Sequence, residues 1–275
     1  MRLAVYQGPG ASGDVPGNLA IIRRVAAHAA AEGASLVVFP ELFTTGYNLG
    51  SRLRELAEPL PGPSLDAVGA TAADAGLAIL TGFCERDGAR LFNSAVLVGR
   101  NGSMRAVHRK CHLYGAMEGE LFTPGDALAV VELDRLRVGI LICYDVEFPE
   151  AVRALALAGA ELVAVPTTLM APHDVVARAM VPVRAAENQV FVAYANRTGS
   201  EGALAYIGQS CIVGPDGADF ARAGREAEQL LLADLDPAAI TDARAAQSYL
   251  GDRRPALYVP LTRTSNPPAR RAGMA

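Results

Sequence analysis

The sequence predicts an α/β fold, and three observations carry that prediction. Strand-like and helix-like segments alternate along most of the 275 residues. Several strand-like segments, such as Val138 to Ile142, are unbroken apolar runs of the kind that sheets covered on both faces require. The helix-like segments carry apolar residues at helical spacing and stop at glycines.

Taken in order, Arg2 to Gln7 reads as a first strand. Asn18 to Glu32 reads as a helix, with Leu19, Ile22, Val25 and Ala26 on one face and Gly33 as its stop. Ser35 to Phe39 is a buried strand, and Ser64 to Ala75 a second helix ended by Gly76. Leu77 to Glu85 and Leu91 to Gly99 are strands. Asn101-Gly102 then turns the chain back into a strand over Ser103 to Lys110, because both residues tolerate positive φ. Val138 to Ile142 is a strand, Pro149 to Ala158 a helix and Glu161 to Val165 a strand. His173 to Glu187 is a helix weakened by Pro182, and Val190 to Ala195 the next strand. Tyr206 to Val213, the Pro215-Asp216-Gly217 turn and Gln229 to Asp234 form a further antiparallel set, before a late helix over Pro237 to Ala246. One domain is expected over 1–261. The rest, 262–275, lacks periodicity and reads as a mobile or partner-contacting arm.

An internal echo joins Glu32-Gly33-Ala34-Ser35-Leu36-Val37-Val38-Phe39-Pro40 to Ala158-Gly159-Ala160-Glu161-Leu162-Val163-Ala164-Val165-Pro166. Each is a helix end, a glycine, a buried strand and a proline. Two halves on one plan, or simple convergence of helix–Gly–strand units, would both give it.

Composition narrows the function classes. A net charge of −4 argues against a nucleic-acid binder, which would carry a basic excess. No apolar run approaches the ~20 residues needed to cross a bilayer. The chain opens on a strand-like segment with no leader pattern, so a cytoplasmic protein is expected. Cys84, Cys111, Cys143 and Cys211 are widely spaced and form no CxxC pair, which argues against a disulfide framework and against a zinc site.

Three segments carry chemistry. In Phe39-Pro40-Glu41 a carboxylate follows a buried strand, where open α/β sheets form their sites; a loop acid facing solvent is the alternative. His108-Arg109-Lys110-Cys111-His112 ends a return strand. It reads either as a solvated strand edge or as a functional cluster, in which His108 and His112 share a face but lack evident further metal ligands. Val138-Gly139-Ile140-Leu141-Ile142-Cys143-Tyr144-Asp145 delivers a cysteine to a strand end beside the start of a helix. Backbone N–H groups there lower a thiol pKa and can hold an oxyanion.

Pro40-Glu41, Arg109-Lys110 and Cys143-Tyr144-Asp145 with Phe148-Pro149-Glu150 stand in the order and approximate spacing of the nitrilase (carbon–nitrogen hydrolase) superfamily, which the chain resembles from Arg2 to about Asp252. Thr45-Gly46-Tyr47-Asn48 and Gly208-Gln209-Ser210 liken it to the bacterial aliphatic amidases, including those that take cationic ω-amino amides. The resemblance implies a four-layer α-β-β-α sandwich with two mixed sheets face to face, no metal or cofactor, and a homodimer or higher homo-oligomer. It implies that Cys143 attacks the carbonyl, that Glu41 carries the proton, and that Lys110 with the Tyr144 backbone N–H holds the oxyanion. It also implies a second site glutamate, matched best by Glu118, with Glu120 the alternative.

The expected partner is a small linear amide, with no nucleic acid and no membrane. Glu118, Asp145 and Glu147 are candidate acceptors for a remote amine, and Tyr47 could supply a hydroxyl or ring face. Asp145 and Glu147 are equally readable as caps of the helix near Pro149. Thr168, Leu169 and Met170 follow a buried strand and are expected to line the pocket, with core filling the other reading of Met170. A nitrilase or N-carbamoyl hydrolase would use the same three residues, and an inactive binding module is the alternative of another class.

Overall fold

The computed structural model describes residues 1–262, so of the expected C-terminal arm all but its first residue lies outside the described residues. The first half contains β1 (Arg2–Gln7), α1 (Val15–Ala31), β2 (Leu36–Val38), α2 (Leu53–Leu56), α3 (Pro63–Ala75), β3 (Ala78–Asp87), β4 (Arg90–Val98), β5 (Met104–Arg109) and α4 (Gly115–Leu121). The second contains β6 (Val130–Leu133), β7 (Leu136–Ile140), α5 (Pro149–Leu157), β8 (Leu162–Pro166), α6 (Val181–Asn188) and β9 (Phe191–Ala195). It continues through β10 (Ser200–Glu201), β11 (Leu204–Ala205), β12 (Cys211–Val213), β13 (Asp219–Arg222), β14 (Gln229–Asp234) and α7 (Ala238–Ala246).

Two six-stranded mixed sheets result, ordered β14-β1-β2-β3-β4-β5 and β6-β7-β8-β9-β12-β13. Read in that direction, both pair antiparallel, parallel, parallel, antiparallel, antiparallel. The internal echo therefore marks equivalent strands, β2 and β8, and the glycines before them take matching positive φ of 78° at Gly33 and 92° at Gly159.

Strand alternation sorts the layers. Leu3, Val5, Leu36, Val38 and Leu80 meet Val138, Ile140, Leu162, Ala164 and Ala193 between the sheets. The alternate residues Ala4, Tyr6, Val37 and Ile79 face outward and are covered by Ile22, Val25 and Ala29 of α1 and Leu65, Val68 and Ala72 of α3. Val163, Val165 and Val192 are covered likewise by Val152 and Leu155 of α5 and Val181 and Ala185 of α6. Each valine, leucine or isoleucine among them contributes roughly 1.5–3 kcal/mol on burial. The order is α-β-β-α, as the resemblance implied.

Three sequence expectations change. Helix α1 starts before Asn18, because Asp14 caps it by accepting from the Gly17 N–H and Pro16 presets its first turn. Asn18 is instead buried and ties Ala11 to Thr44 through its amide. The expected antiparallel set is split. Gly208 and Gln209 take positive φ, which keeps the segment before Cys211 out of the ladder. Strand β12 then pairs with β13, while β14 crosses to β1 in the other sheet. The helix expected from His173 begins as a π turn over Val176–Met180, and α6 follows with Pro182 in its first turn, where a missing N–H costs little.

Candidate active site

Beyond β2, Phe39 still donates to the Leu80 carbonyl, and Leu42 turns the chain with φ 46°. Strand β3 passes so close to this turn that a Cβ on Gly82 would lie 2.2 Å from the Leu42 nitrogen and 2.7 Å from the Glu41 carbonyl carbon. Only glycine fits there, and its N–H and C=O bond Pro40 and Thr44. Glu41 is consequently delivered into the interior and is fully buried, so the solvent-facing alternative does not hold. Its Oε1 accepts from Lys110 Nζ and Asn93 Nδ2, both at 2.7 Å, and its Oε2 from the Thr168 hydroxyl.

The basic cluster at the end of β5 is not a solvated edge. Alternation sends Arg109 to one side, where it bonds Glu85 and lies over the Phe92 ring at 3.8 Å. His108 and Lys110 turn inward and are buried. Lys110 Nζ also donates to Glu118 Oε1 at 2.6 Å. Glu118 is further held by the Tyr47 hydroxyl at 2.8 Å and the Tyr114 N–H at 2.7 Å. Glu120 is exposed, which leaves Glu118 as the glutamate at this place. Burial pulls the Lys110 ammonium down, but Glu41, Glu118 and the Cys143 thiol outweigh it and hold it above its ordinary value. Burial pushes the Glu118 carboxyl up, and Glu41 adds to this against the pull of Lys110.

Cys143 follows β7 by two extended residues and takes φ 47°, a left-handed conformation rare for a side chain of its kind. A short 3₁₀ turn, Cys143–Glu147, begins there and leads through Phe148 into α5. Asp145 braces this elbow. It is buried and accepts from the Ile142 N–H at 3.1 Å, the His112 N–H at 2.8 Å, His112 Nδ1 at 2.8 Å and His108 Nε2 at 3.0 Å. Burial would raise its carboxyl, but the two histidines and the Ile142 amide hold it well below the usual range. Burial pushes the Cys143 thiol well up and the Glu41 charge adds to this; Lys110, the Thr167 hydroxyl and the Thr168 N–H oppose them.

A cavity of ≈ 240 Å³ opens onto Cys143 and is lined by Tyr47, Tyr114, Tyr144, Glu147, Thr168, Leu169, Met170 and His173. Tyr47, Glu147, Thr168 and Met170 all line it, and Met170 also packs against the apolar cluster of Leu42, Leu53 and Tyr206, so both readings of it describe its place. Asp145 does not line the cavity, because both its oxygens are committed to the histidines and the elbow backbone; this corrects its assignment as a substrate acceptor. The helix-cap reading does not describe it either, since the turn it holds precedes α5. His108, Cys111 and Asp145 offer ligand atoms within 4.8 Å of one another, but this is the same hydrogen-bonded brace. Sequence reasoning missed Asn93, Tyr114, Thr167 and His173. A polar Asn93 inside the apolar strand Leu91 to Val98 was the one signal available for it.

The arrangement can supply a sulfur nucleophile, a buried carboxylate to carry a proton and a fixed ammonium beside them. Among the described residues no helix is long and apolar enough to cross a membrane.

Comparison with known proteins agrees with this geometry. The family described as Carbon-nitrogen hydrolase matches residues 2–245. The chain is 46% identical over 267 residues to the "Hydrolase in pqqF 5'region" of Pseudomonas protegens, covering 96% of this chain and 92% of that one. It is 37% identical over 272 residues to an (R)-stereoselective amidase of Pseudomonas sp., covering 98% and 97%. The crystal structure of an amidase from Nesterenkonia sp. superposes with a TM-score of 0.86 at 35% identity, covering 94% and 95%. In a variant of that amidase, the acetamide moiety of fluoroacetamide is added covalently at the active-site cysteine. The fold, the order of the motifs and these matches together show that the chain belongs to the carbon–nitrogen hydrolase family, the nitrilase superfamily, and is a hydrolase of carbon–nitrogen bonds other than peptide bonds.

Proposed function

We propose that the protein hydrolyses a small linear amide to a carboxylic acid and ammonia through a thioester on Cys143. One observation carries the reading: Lys110 is buried between Glu41 and Glu118, and the Cys143 thiol, which opens onto the cavity, lies within electrostatic reach of both Glu41 and Lys110. Glu41 takes the thiol proton as the sulfur attacks the amide carbonyl. The negative charge that develops on the carbonyl oxygen is met by the Lys110 ammonium and the Tyr144 backbone N–H. A single preorganised donor of this kind contributes about 3 kcal/mol. Glu41 then passes its proton to the leaving nitrogen and ammonia departs. Water, activated by the same carboxylate, attacks the thioester and frees the acid and the thiol. Glu118 keeps the ammonium placed and compensated throughout, itself held by Tyr47 and Tyr114. The raised thiol supports this order of events, since the proton leaves only with the help of a neighbouring base.

An ammonia-release screen over linear amides tests the proposal. Ammonia and acid are expected in equal amounts, with turnover lost in Cys143→Ala and on stoichiometric alkylation of Cys143 by iodoacetamide. Carbon dioxide from a carbamoyl compound, with amides inert, would redirect the assignment to a carbamoyl hydrolase. We also propose that the protein acts as a homodimer or larger; the exposed apolar Leu157, Val183, Leu257 and Leu261 support this, and light scattering of the purified chain tests it.

A further inference from the structure

Three acids were candidates for holding a remote cationic group, and the structure separates them. Glu118 is bonded to Lys110, Tyr47 and Tyr114, and Asp145 to two histidines and the backbone. Glu147 alone lines the cavity. Among the described residues its carboxylate has no hydrogen-bond or ion-pair partner, and no lysine or arginine lines the cavity beside it. His173, which also lines the cavity, is engaged by the Tyr114 hydroxyl at 3.2 Å.

The backbone that presents Glu147 is fixed. Arg184 donates to the Val146 carbonyl at 3.0 Å and to the Glu147 carbonyl at 2.7 Å. Glu147 ends the 3₁₀ turn that Cys143 begins, and at ~2.0 Å per residue the two backbone positions are about 8 Å apart along the turn. Tyr114 and Tyr144, which line the same cavity, stand edge to face at 5.3 Å and offer aromatic surface to a cation.

We propose that Glu147 receives the ammonium end of a short linear amide whose carbonyl lies at Cys143, making it the residue that selects cationic substrates. The inference rests on the reading of Cys143 as nucleophile. Half-burial desolvates this carboxylate and raises its pKa, an effect that His173, Lys110 and Arg184 only partly offset. An incoming ammonium restores the balance, whereas a substrate carboxylate meets repulsion and no cation to pair with.

The test is kcat/KM for three amides of equal length, ending in ammonium, methyl or carboxylate, with the wild type, Glu147→Gln and Glu147→Lys. The wild type is expected to prefer the ammonium amide over the methyl one by at least about tenfold, equivalent to ~1.4 kcal/mol, with the carboxylate amide slowest. Glu147→Gln should reduce that preference about tenfold, and Glu147→Lys should put the carboxylate amide ahead of the ammonium one. Equal use of the ammonium and methyl amides by the wild type, or an unaltered preference in Glu147→Gln, would overturn the assignment while leaving amide hydrolysis standing. Failure of all three amides to release ammonia would remove the Cys143 reading and this inference with it. Should a variant not fold, the wild-type ranking decides, together with inhibition by alkylammonium ions against alcohols of the same length.

Discussion

Lys110 Nζ stands 2.7 Å from Glu41 Oε1 across 69 positions of sequence, and neither side chain is exposed. Two strand ends from one sheet make this contact: Glu41 beyond β2, and Lys110 one residue past β5. Removing the cation would leave Glu41 and Glu118 buried together with nothing between them. Lys110→Met is therefore expected to cost about 3–5 kcal/mol of stability, read as a lower urea midpoint, and to abolish turnover. Lys110→Arg keeps the charge but replaces a compact ammonium with a wide planar group, and a loss of at least ~100-fold in kcat/KM is expected. Near-wild-type turnover in Lys110→Arg would show that the ammonium does not sit at the reacting oxygen.

Gly82 does not line the cavity, yet it sets the place of Glu41. A methyl group there would collide with backbone rather than with a side chain that can swing away. Gly82→Ala is expected to lower kcat at least ~10-fold and to lower the melting temperature, although it removes no functional group. Unaltered kinetics in a folded Gly82→Ala protein would mean that Glu41 can shift freely without consequence.

The two histidines in β5 and just beyond it serve the elbow through Asp145. An ionised carboxylate only accepts, so His108 Nε2 and His112 Nδ1 must carry the protons that face it. Asparagine at this position would present an NH₂ group to N–H donors, and Asp145→Asn is expected to cost about 2–4 kcal/mol at neutral pH. Because the folded-state carboxyl is held below its unfolded value of ~3.9, its stabilisation is complete above that pH and is lost as pH falls toward the folded value. Urea titrations of both proteins should show a gap that narrows as the pH falls below about 4. A gap that widens below about pH 4 would contradict the brace.

Much of this site was legible in the sequence because its three central residues each stand just past a strand end. Glu41 follows Pro40, Lys110 closes a return strand, and Cys143 stands where an apolar run meets a turn; such punctuation survives in one dimension. The role of Asp145 was not legible, because its partners His108 and His112 lie 37 and 33 positions away and no local pattern links them. Asn93 showed only as a polar residue inside an apolar strand, and its partner was hidden for the same reason: it donates to a carboxylate in another strand's exit loop. In the fold, β13 went unread because Asp219-Phe220-Ala221-Arg222 is a short edge strand whose alternation is too brief to register. The start of α1 went unread despite a usable signal, the Asp14 cap with Pro16 behind it.

The most direct measurement is the mass of the enzyme acid-quenched during turnover of a linear amide, followed by peptide mapping. An increase equal to the substrate's acyl group, located on the peptide holding Cys143 and absent from Cys143→Ala, is predicted. Turnover without any adduct, or an adduct on Cys84, Cys111 or Cys211 instead, would contradict the thioester account.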